Sequence, residues 1–92
     1  MPAGEPYSLE FSPAGRRDLK KLPARHANRI RAAILSLQGG PRPRGSRKIV
    51  GDPHAYRIRI GDFRVIYDVH DQESVVRVQR IIRRSETTYR RR

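Results

Sequence analysis

Arginines alternate with apolar residues on both sides of a Gly-Asp pair in the second half of the chain. Arg57 and Arg59 precede Gly61 and Asp62, and Arg64 follows them. Because alternate residues of a strand point to one face of a sheet, we expect the three guanidinium groups to share a face. A guanidinium group binds phosphate through two parallel hydrogen bonds and stacks on flat rings. The spacing predicts a phosphate-binding surface; the alternative is that these are solvated residues of a half-exposed sheet.

The chain ends with IIRRSETTYRRR, which places Arg83, Arg84 and Tyr89 just after the last strand-like run. A short terminal helix or arm could fold them over the sheet, although the ends of chains are often frayed. RNA is cut without a metal ion when the 2′-OH loses a proton, the leaving 5′-oxygen gains one and the phosphate charge is stabilised. Arginine supplies the last role, and a tyrosine whose pKa is lowered by arginines from about 10 supplies a base. We expect Tyr89 to be that base and Tyr67 to be a core residue.

The charge of the chain favours a polyanionic partner. Its 92 residues carry a formal net charge of +12, from 21 Lys and Arg against 9 Asp and Glu. No acidic residue lies between Leu19 and Gly51, where the basic residues are Lys20, Lys21, Arg25, Arg29, Arg31, Arg42, Arg44, Arg47 and Lys48. Summed positive potential attracts nucleic acid at long range. The alternative is a solvated basic surface, because charge alone does not make an enzyme.

Several classes of protein are not expected from the composition. The chain has no cysteine and only three scattered histidines, so neither a disulfide nor a zinc site of the usual spacing is predicted. We expect chemistry without a metal ion or other cofactor. The N-terminal MPAGEPYSLE lacks the charged start and apolar run of a secretory signal, and no apolar stretch has membrane-spanning length. The sequence therefore predicts a cytoplasmic protein with one domain over residues 1–92.

The first half of the chain predicts a strand followed by a two-helix hairpin. Residues 7–11 alternate apolar and polar side chains, and Ser12 with Pro13 predicts the start of a helix that ends near Pro23. From about Ala24 the apolar residues recur at helical spacing until Gly39; they are Ile30, Ala33, Ile34 and Leu37. The stretch GGPRPRGSRKIVGDP that follows predicts an irregular connection.

The second half predicts a three-stranded antiparallel meander, with strands at Tyr56–Ile60, Phe63–His70 and Val75–Ile82. The apolar rows should pack on the helices and leave the other face open, with Arg77 on that open face. In the third strand, Ile82 is predicted to face the helices and Ile81 the open side. Arg80 interrupts the apolar row, so we predict a bulge, twist or edge position there. The fold class is α+β, completed by a short C-terminal helix or arm.

Two segments resemble the RelE toxins of bacterial toxin–antitoxin pairs. One is KIVGDPHAYRIRIGDFRVIYDVHDQESVVRVQRIIRRSETTY, in which G-x-x-x-x-Y-R-I-R-I-G-D-F-R-V-I-Y precedes a valine-rich strand and R-R-S-x-x-x-Y; the other is YSLEFSPAGRRDLKKLP. The resemblance covers nearly the whole chain. It implies a fold similar to that of microbial ribonucleases, binding in the ribosomal A site and cleavage of messenger RNA there. It also implies an antitoxin that holds the toxin inactive and represses the operon.

Position by position, the resemblance implies that Tyr89 activates the 2′-OH, that Arg83 neutralises or protonates the leaving side, and that Arg64 stabilises the transition state. The basic residues expected to hold RNA are Arg47, Lys48, Arg57, Arg59 and Arg77. The best-known family members have lysines where Arg57 and Arg59 stand. Because the pKa of arginine is above about 12, these two residues cannot shuttle protons and should bind phosphate instead.

Two other functions are consistent with the sequence. A ParE-like toxin would share the fold but inhibit DNA gyrase without cutting RNA; Tyr89 and the arginine-bearing face argue against it. A non-catalytic RNA-binding or ribosome-associated domain would use the same face without needing Tyr89. For a toxin we also expect an acidic antitoxin, whose amphipathic segment would cover apolar and basic surface and shield the arginines or displace the C-terminal helix.

Overall fold

The sheet is built from five strands, which the computed structural model describes within residues 6–83. The elements are β1 (Ser8–Phe11), α1 (Pro13–Lys20), α2 (Ala24–Ser36), β2 (Arg47–Lys48), β3 (Ala55–Ile60), β4 (Phe63–His70) and β5 (Val75–Arg83). Their order in the sheet is β1-β5-β4-β3-β2, with β1 parallel to β5 and the other pairs antiparallel. The predicted α+β class and meander are confirmed. The short strand β2 was missed, because two residues in a Gly- and Pro-rich stretch give no alternation to read.

Helix α1 starts where the sequence predicts it. The Ser12 hydroxyl accepts a hydrogen bond from the Gly15 N–H at 2.9 Å and donates one to the Gln79 carbonyl oxygen at 3.0 Å, while Pro13 occupies the first turn. Gly15 is needed for a close approach, because a Cβ there would overlap the carbonyl oxygen of Val78. The cap and the glycine thus fix α1 against β5. No helix in the described range is long and apolar enough to cross a membrane.

The core lies between α2 and one face of the sheet. Its buried members are Ile30, Ile34, Leu37, Ile60, Phe63, Val65, Tyr67, Val69, Val76, Val78 and Ile81. The predicted core position of Tyr67 is confirmed: its ring is fully buried and its hydroxyl donates to the Pro41 carbonyl oxygen at 2.8 Å. Burial raises the pKa of Tyr67, so this phenol stays protonated and serves as a hydrogen-bond donor.

A β-bulge at Gln79 changes which residues of β5 face the core. Val78 pairs with Tyr67 and Arg80 pairs with Ile66, so Gln79 has no partner in β4. The predicted irregularity near Arg80 is therefore confirmed. The predicted faces of the next residues are wrong, because one extra residue reverses the alternation. Ile81 joins the core, whereas Ile82 pairs with Arg64 on the opposite face.

The outer edge of β5 beyond the bulge is covered by α1 instead of a strand. One oxygen of the Asp18 carboxylate accepts the Ile81 backbone N–H at 2.8 Å and the Arg80 Nε–H at 2.7 Å. This carboxylate satisfies a backbone donor that β1, which ends at Phe11, cannot reach. Asp18 thereby holds the C-terminal half of β5 in place after the parallel pairing stops.

Candidate functional site

The hairpin of β3 and β4 delivers three of the predicted arginines to one face. Its two-residue turn, with Gly61 at φ +58°, joins Ile60 to Phe63. Arg59 then lies directly opposite Arg64, and Arg57 lies opposite Ile66. Directly paired residues point the same way, so these side chains occupy the face turned away from the helices. The predicted shared face is confirmed.

Strand β2 adds a fourth arginine, since Arg47 pairs with Arg57. Gly45 and the four arginines line an open depression of about 240 Å³. We call this site the arginine depression and define it by Arg47, Arg57, Arg59 and Arg64. Its size and open shape leave room for a phosphate group and the adjoining sugar to lie among the guanidinium groups.

The arginine depression has no counter-charge within residues 6–83. None of its four guanidinium groups makes a hydrogen bond or an ion pair in that range. Like charges placed directly opposite one another on a sheet are destabilising, as Arg59 and Arg64 are here. A bound polyanion would offset this repulsion and accept several bidentate hydrogen bonds. The geometry suits a site that stabilises negative charge on a phosphate.

The loop before β2, which carries Gly45 and leads into Arg47, is held in place by several hydrogen bonds. Its Arg42 donates from Nε to the Tyr56 hydroxyl at 2.9 Å and from Nη2 to Asp71 at 2.7 Å. The Tyr7 hydroxyl donates to the other Asp71 oxygen at 2.6 Å. The hydrogen bond from Arg42, with that from Tyr7, lowers the pKa of Asp71. The pKa of Tyr7 is raised, chiefly because its hydrogen bond to Asp71 favours the protonated phenol. No local sequence signal reveals this network, because its members are far apart in the chain.

Two residues predicted to hold RNA lie outside the depression. Arg77 of β5 shares the open face, where its β4 partner is Asp68. Lys48 pairs with Tyr56 and points to the other face, because neighbouring residues of a strand alternate. Its ammonium group donates to the backbone carbonyl oxygens of Asp52 and Pro53 at 2.9 and 2.8 Å. The structure therefore does not bring Lys48 together with the arginines.

The bulge also determines the position of Arg83. Arg83 pairs with Phe63 and lies on the helix side of the sheet, with its guanidinium carbon 5.0 Å from the centre of the Phe63 ring. Its Nη2 is 3.5 Å from Nε2 of His26 in α2. Without the bulge, Arg83 would share the face of Arg64. The structure thus separates these two predicted catalytic residues, while Tyr89 and Arg84 lie outside the described residues.

Between residues 6 and 83, no group of three or more His, Asp or Glu side chains is placed so that it could hold a metal ion. The chemical capacity of the arginine depression is therefore that of guanidinium groups: binding, orientation and charge stabilisation. A proton-transferring group would have to be added to it from elsewhere in the chain or from the substrate complex.

Comparisons with known proteins connect this fold and site to a class. Residues 9–88 match the family described as ParE toxin of type II toxin-antitoxin system, parDE. The chain is 33% identical to toxin RelG of Mycobacterium tuberculosis over 92 residues, and this alignment covers 94% of this chain and 99% of that protein. It is 30% identical over 81 residues to a protein of Methanocaldococcus jannaschii named toxin RelE1, and that alignment covers 85% of this chain and 90% of the relative.

The fold comparison agrees with these relatives. A chain of the RelE–RelB complex of Pyrococcus horikoshii matches with a TM-score of 0.75 and 28% identity, over 87% of this chain and 97% of that one. The protein is thus a toxin of a type II toxin–antitoxin system. Within that class, the chain belongs to the RelE family of the RelE/ParE superfamily.

Proposed function

We propose that this toxin is an endoribonuclease that acts in the cytoplasm and cuts messenger RNA in the ribosomal A site. The observation that carries the proposal is the arginine depression, where four arginines without acidic partners in the described range line a site large enough for a phosphate group and its sugar. Preorganised charge of this kind stabilises a phosphate more strongly as it gains negative charge in the transition state. The named RelE relatives support the same assignment.

The residues of the depression divide by position. Arg59 and Arg64 face each other across the hairpin and stabilise the charge of the scissile phosphate. Arg57 and Arg47 lie in the next row and hold the RNA backbone. In this proposal Tyr89 removes the proton of the attacking 2′-OH, a role that rests on the resemblance to the family. The reaction uses arginine and tyrosine groups and needs no metal ion.

Arg83 has a separate place in the proposal. A role at the leaving oxygen requires its guanidinium group to move off the Phe63 ring and around the end of β5. Arg83→Ala should therefore be measured alone as well as in combination. If this single variant cuts normally, the leaving group takes its proton from another source and Arg83 belongs to the packing around His26.

The test is cleavage of a defined messenger in a translating extract. We expect the triple variant Arg64→Ala, Arg83→Ala, Tyr89→Phe to abolish cleavage, whereas Arg25→Gln, a charge change on exposed α2 surface, leaves it unchanged. Unchanged cleavage by the triple variant would refute the assignment. Binding of RNA without cleavage by the parent protein would instead favour a non-catalytic RNA-binding role.

We also propose an acidic, RelB-like antitoxin as the partner that holds this toxin inactive and helps to repress the shared operon. The Pyrococcus horikoshii relative was solved as a RelE–RelB complex. On this chain, an apolar groove of about 180 Å³ lies beside basic helix surface and is lined by Leu9, Phe11, Leu19, Arg31, Ile34 and Leu35. An amphipathic acidic segment suits such a surface. Production of the toxin alone should arrest growth of a bacterial host, and the absence of toxicity would count against this partner.

Inhibition of DNA gyrase is not favoured. The family description names ParE, but the relatives at 30% identity or more are named RelE1 and RelG. A gyrase supercoiling assay with the purified toxin distinguishes the two functions, and we expect no inhibition.

A further inference from the structure

Arg77 lies on the open face of the sheet but outside the arginine depression. Its cross-strand partners are Asp68 of β4 and Glu10 of β1, so three charged residues share one row. Arg77 nevertheless pairs with neither carboxylate. Asp68 accepts a hydrogen bond from the Gln79 amide at 2.8 Å, and the Nε–H of Arg77 is buried without a hydrogen-bond partner among residues 6–83. Arg77 as a whole residue is only partly buried, and a charged donor without an acceptor is costly, so an acceptor from outside the chain would be favourable here.

Strand β4 gives the distance between Arg77 and the depression. Arg64, Ile66 and Asp68 are successive open-face positions of β4, and each step is roughly 6.6 Å. Arg57 of β3 pairs with Ile66, and Arg77 of β5 pairs with Asp68. Strands β3 and β5 are two strand spacings apart, which is about 10 Å across the sheet. The backbones of Arg57 and Arg77 are therefore about 12 Å apart on a diagonal.

This diagonal matches the spacing of a single nucleic acid strand. Successive phosphorus atoms are six covalent bonds apart, which limits one nucleotide step to roughly 7 Å by the reasoning that sets the reach of a peptide chain. A span of about 12 Å is then two nucleotide steps. Between the two arginines lies Ile66, which is buried and uncharged, so no side chain at that position repels the RNA backbone.

We propose that Arg77 forms a second phosphate subsite, which holds the RNA phosphate two nucleotides away from the phosphate bound in the arginine depression. This inference rests on the proposed function and adds a substrate length to it. The toxin gains affinity and alignment only from RNA long enough to reach both places. Asp68 and Glu10 share the row of Arg77 and lower its attraction for phosphate, so the expected contribution of the subsite is small.

The test measures binding to uncleavable, fluorescent 2′-O-methyl RNA by anisotropy over a range of salt concentrations. A trinucleotide has two phosphates and cannot reach both sites, whereas a heptanucleotide can. For Arg77→Gln we expect unchanged trinucleotide binding and about threefold weaker heptanucleotide binding at low salt. For the heptanucleotide, the log of the association constant should fall less steeply with log salt concentration, with a slope smaller in magnitude by about 0.7. Arg25→Gln removes the same charge from the helix side and should not change the slope.

The possible outcomes separate the subsite from the proposed function. Equal losses for both RNA lengths, a loss matched by Arg25→Gln, or no loss at all would overturn the subsite. If Arg77→Gln weakens only the complex with an acidic antitoxin, the acceptor is a carboxylate of the partner and the subsite is again wrong. If Arg64→Gln leaves the binding of both RNAs unchanged, or if neither RNA binds at low salt, the subsite is also overturned, whereas the proposed function fails only if the triple variant still cuts the messenger in the translating extract.

Discussion

The two faces of the sheet are made by the same strands and differ in what their side chains contact. On the helix side, Val65, Tyr67, Val76 and Val78 have no exposed surface. On the open side, the arginine depression has no hydrogen-bond or ion-pair partners within residues 6–83. Stability is therefore built on one set of alternate residues and ligand binding on the other. Neighbouring positions of one strand should respond to substitution in opposite ways.

Arg64→Ala should give the largest effect on the open side. Removing one preorganised charge-stabilising donor typically costs about 10²–10³-fold in rate, so we expect a loss of that size in messenger cleavage. The free energy of unfolding should stay the same or rise slightly, because the repulsion with Arg59 is removed. Single-turnover cleavage and chemical denaturation measure the two quantities. A strong loss of stability would show that Arg64 also holds the fold together.

Val65→Ala, one position further along β4, should do the reverse. Val65 is fully buried, so truncating it removes packing in the core. We expect the free energy of unfolding to fall by about 2–3 kcal/mol, with cleavage by the folded protein preserved at low temperature. The comparison of the two faces breaks down if Val65→Ala reduces cleavage as much as Arg64→Ala does.

Gly15→Ala should have an intermediate effect, because it acts where α1 touches β5. The added Cβ would overlap the backbone of Val78, so α1 has to move. We expect a loss of about 1–3 kcal/mol in the free energy of unfolding. Gly39→Ala is the control: its Cβ would be 4.0 Å from the nearest atom, the Ser36 oxygen, and it should be neutral or slightly stabilising. Equal losses for both variants would show that the contact between α1 and β5 does not decide the cost.

Much of this division could be read from the sequence. The alternation around Gly61 and Asp62 identified the hairpin, its core row and the shared face of Arg57, Arg59 and Arg64. Such features are encoded in local patterns, because the position of a residue along a strand determines the face of the sheet to which its side chain points. The start of α1 was likewise predictable from capping and proline chemistry, whereas the helix ends at Lys20, three residues before Pro23.

What the sequence did not reveal depends on contacts between distant residues. Arg80 interrupts the apolar row, which suggested a bulge but not its position. The faces to which Ile81 and Arg83 point could therefore not be derived. The Asp18 carboxylate at the edge of β5 joins residues more than 60 positions apart. Arg47 reaches the depression only because β2 pairs with β3. These placements follow from tertiary pairing, which alternation and propensity do not specify.

The smallest predicted effect concerns the network that fastens the loop of the open side. Hydrogen bonds from Arg42 and Tyr7 hold the pKa of Asp71 below its usual value of 3.8. A carboxylate with a lowered folded-state pKa contributes stability above its unfolded pKa and loses it as the pH falls through the folded value. Asp71→Asn should therefore lower the free energy of unfolding by less than about 1 kcal/mol at neutral pH, because the pair of Arg42 and Asp71 is exposed. In acid the variant should have no additional loss of stability from this position.

The measurement is the free energy of unfolding of both proteins between pH 6 and pH 2. The parent should lose the Asp71 contribution below about pH 4 and converge on the variant there. Glu73→Gln, an exposed carboxylate in the same turn with no hydrogen bond in the described range, should leave the convergence unchanged. Full acid sensitivity in Asp71→Asn would assign the pH dependence to another carboxylate. A small loss of cleavage in this variant would indicate that fastening the loop helps to hold Arg47 at the depression.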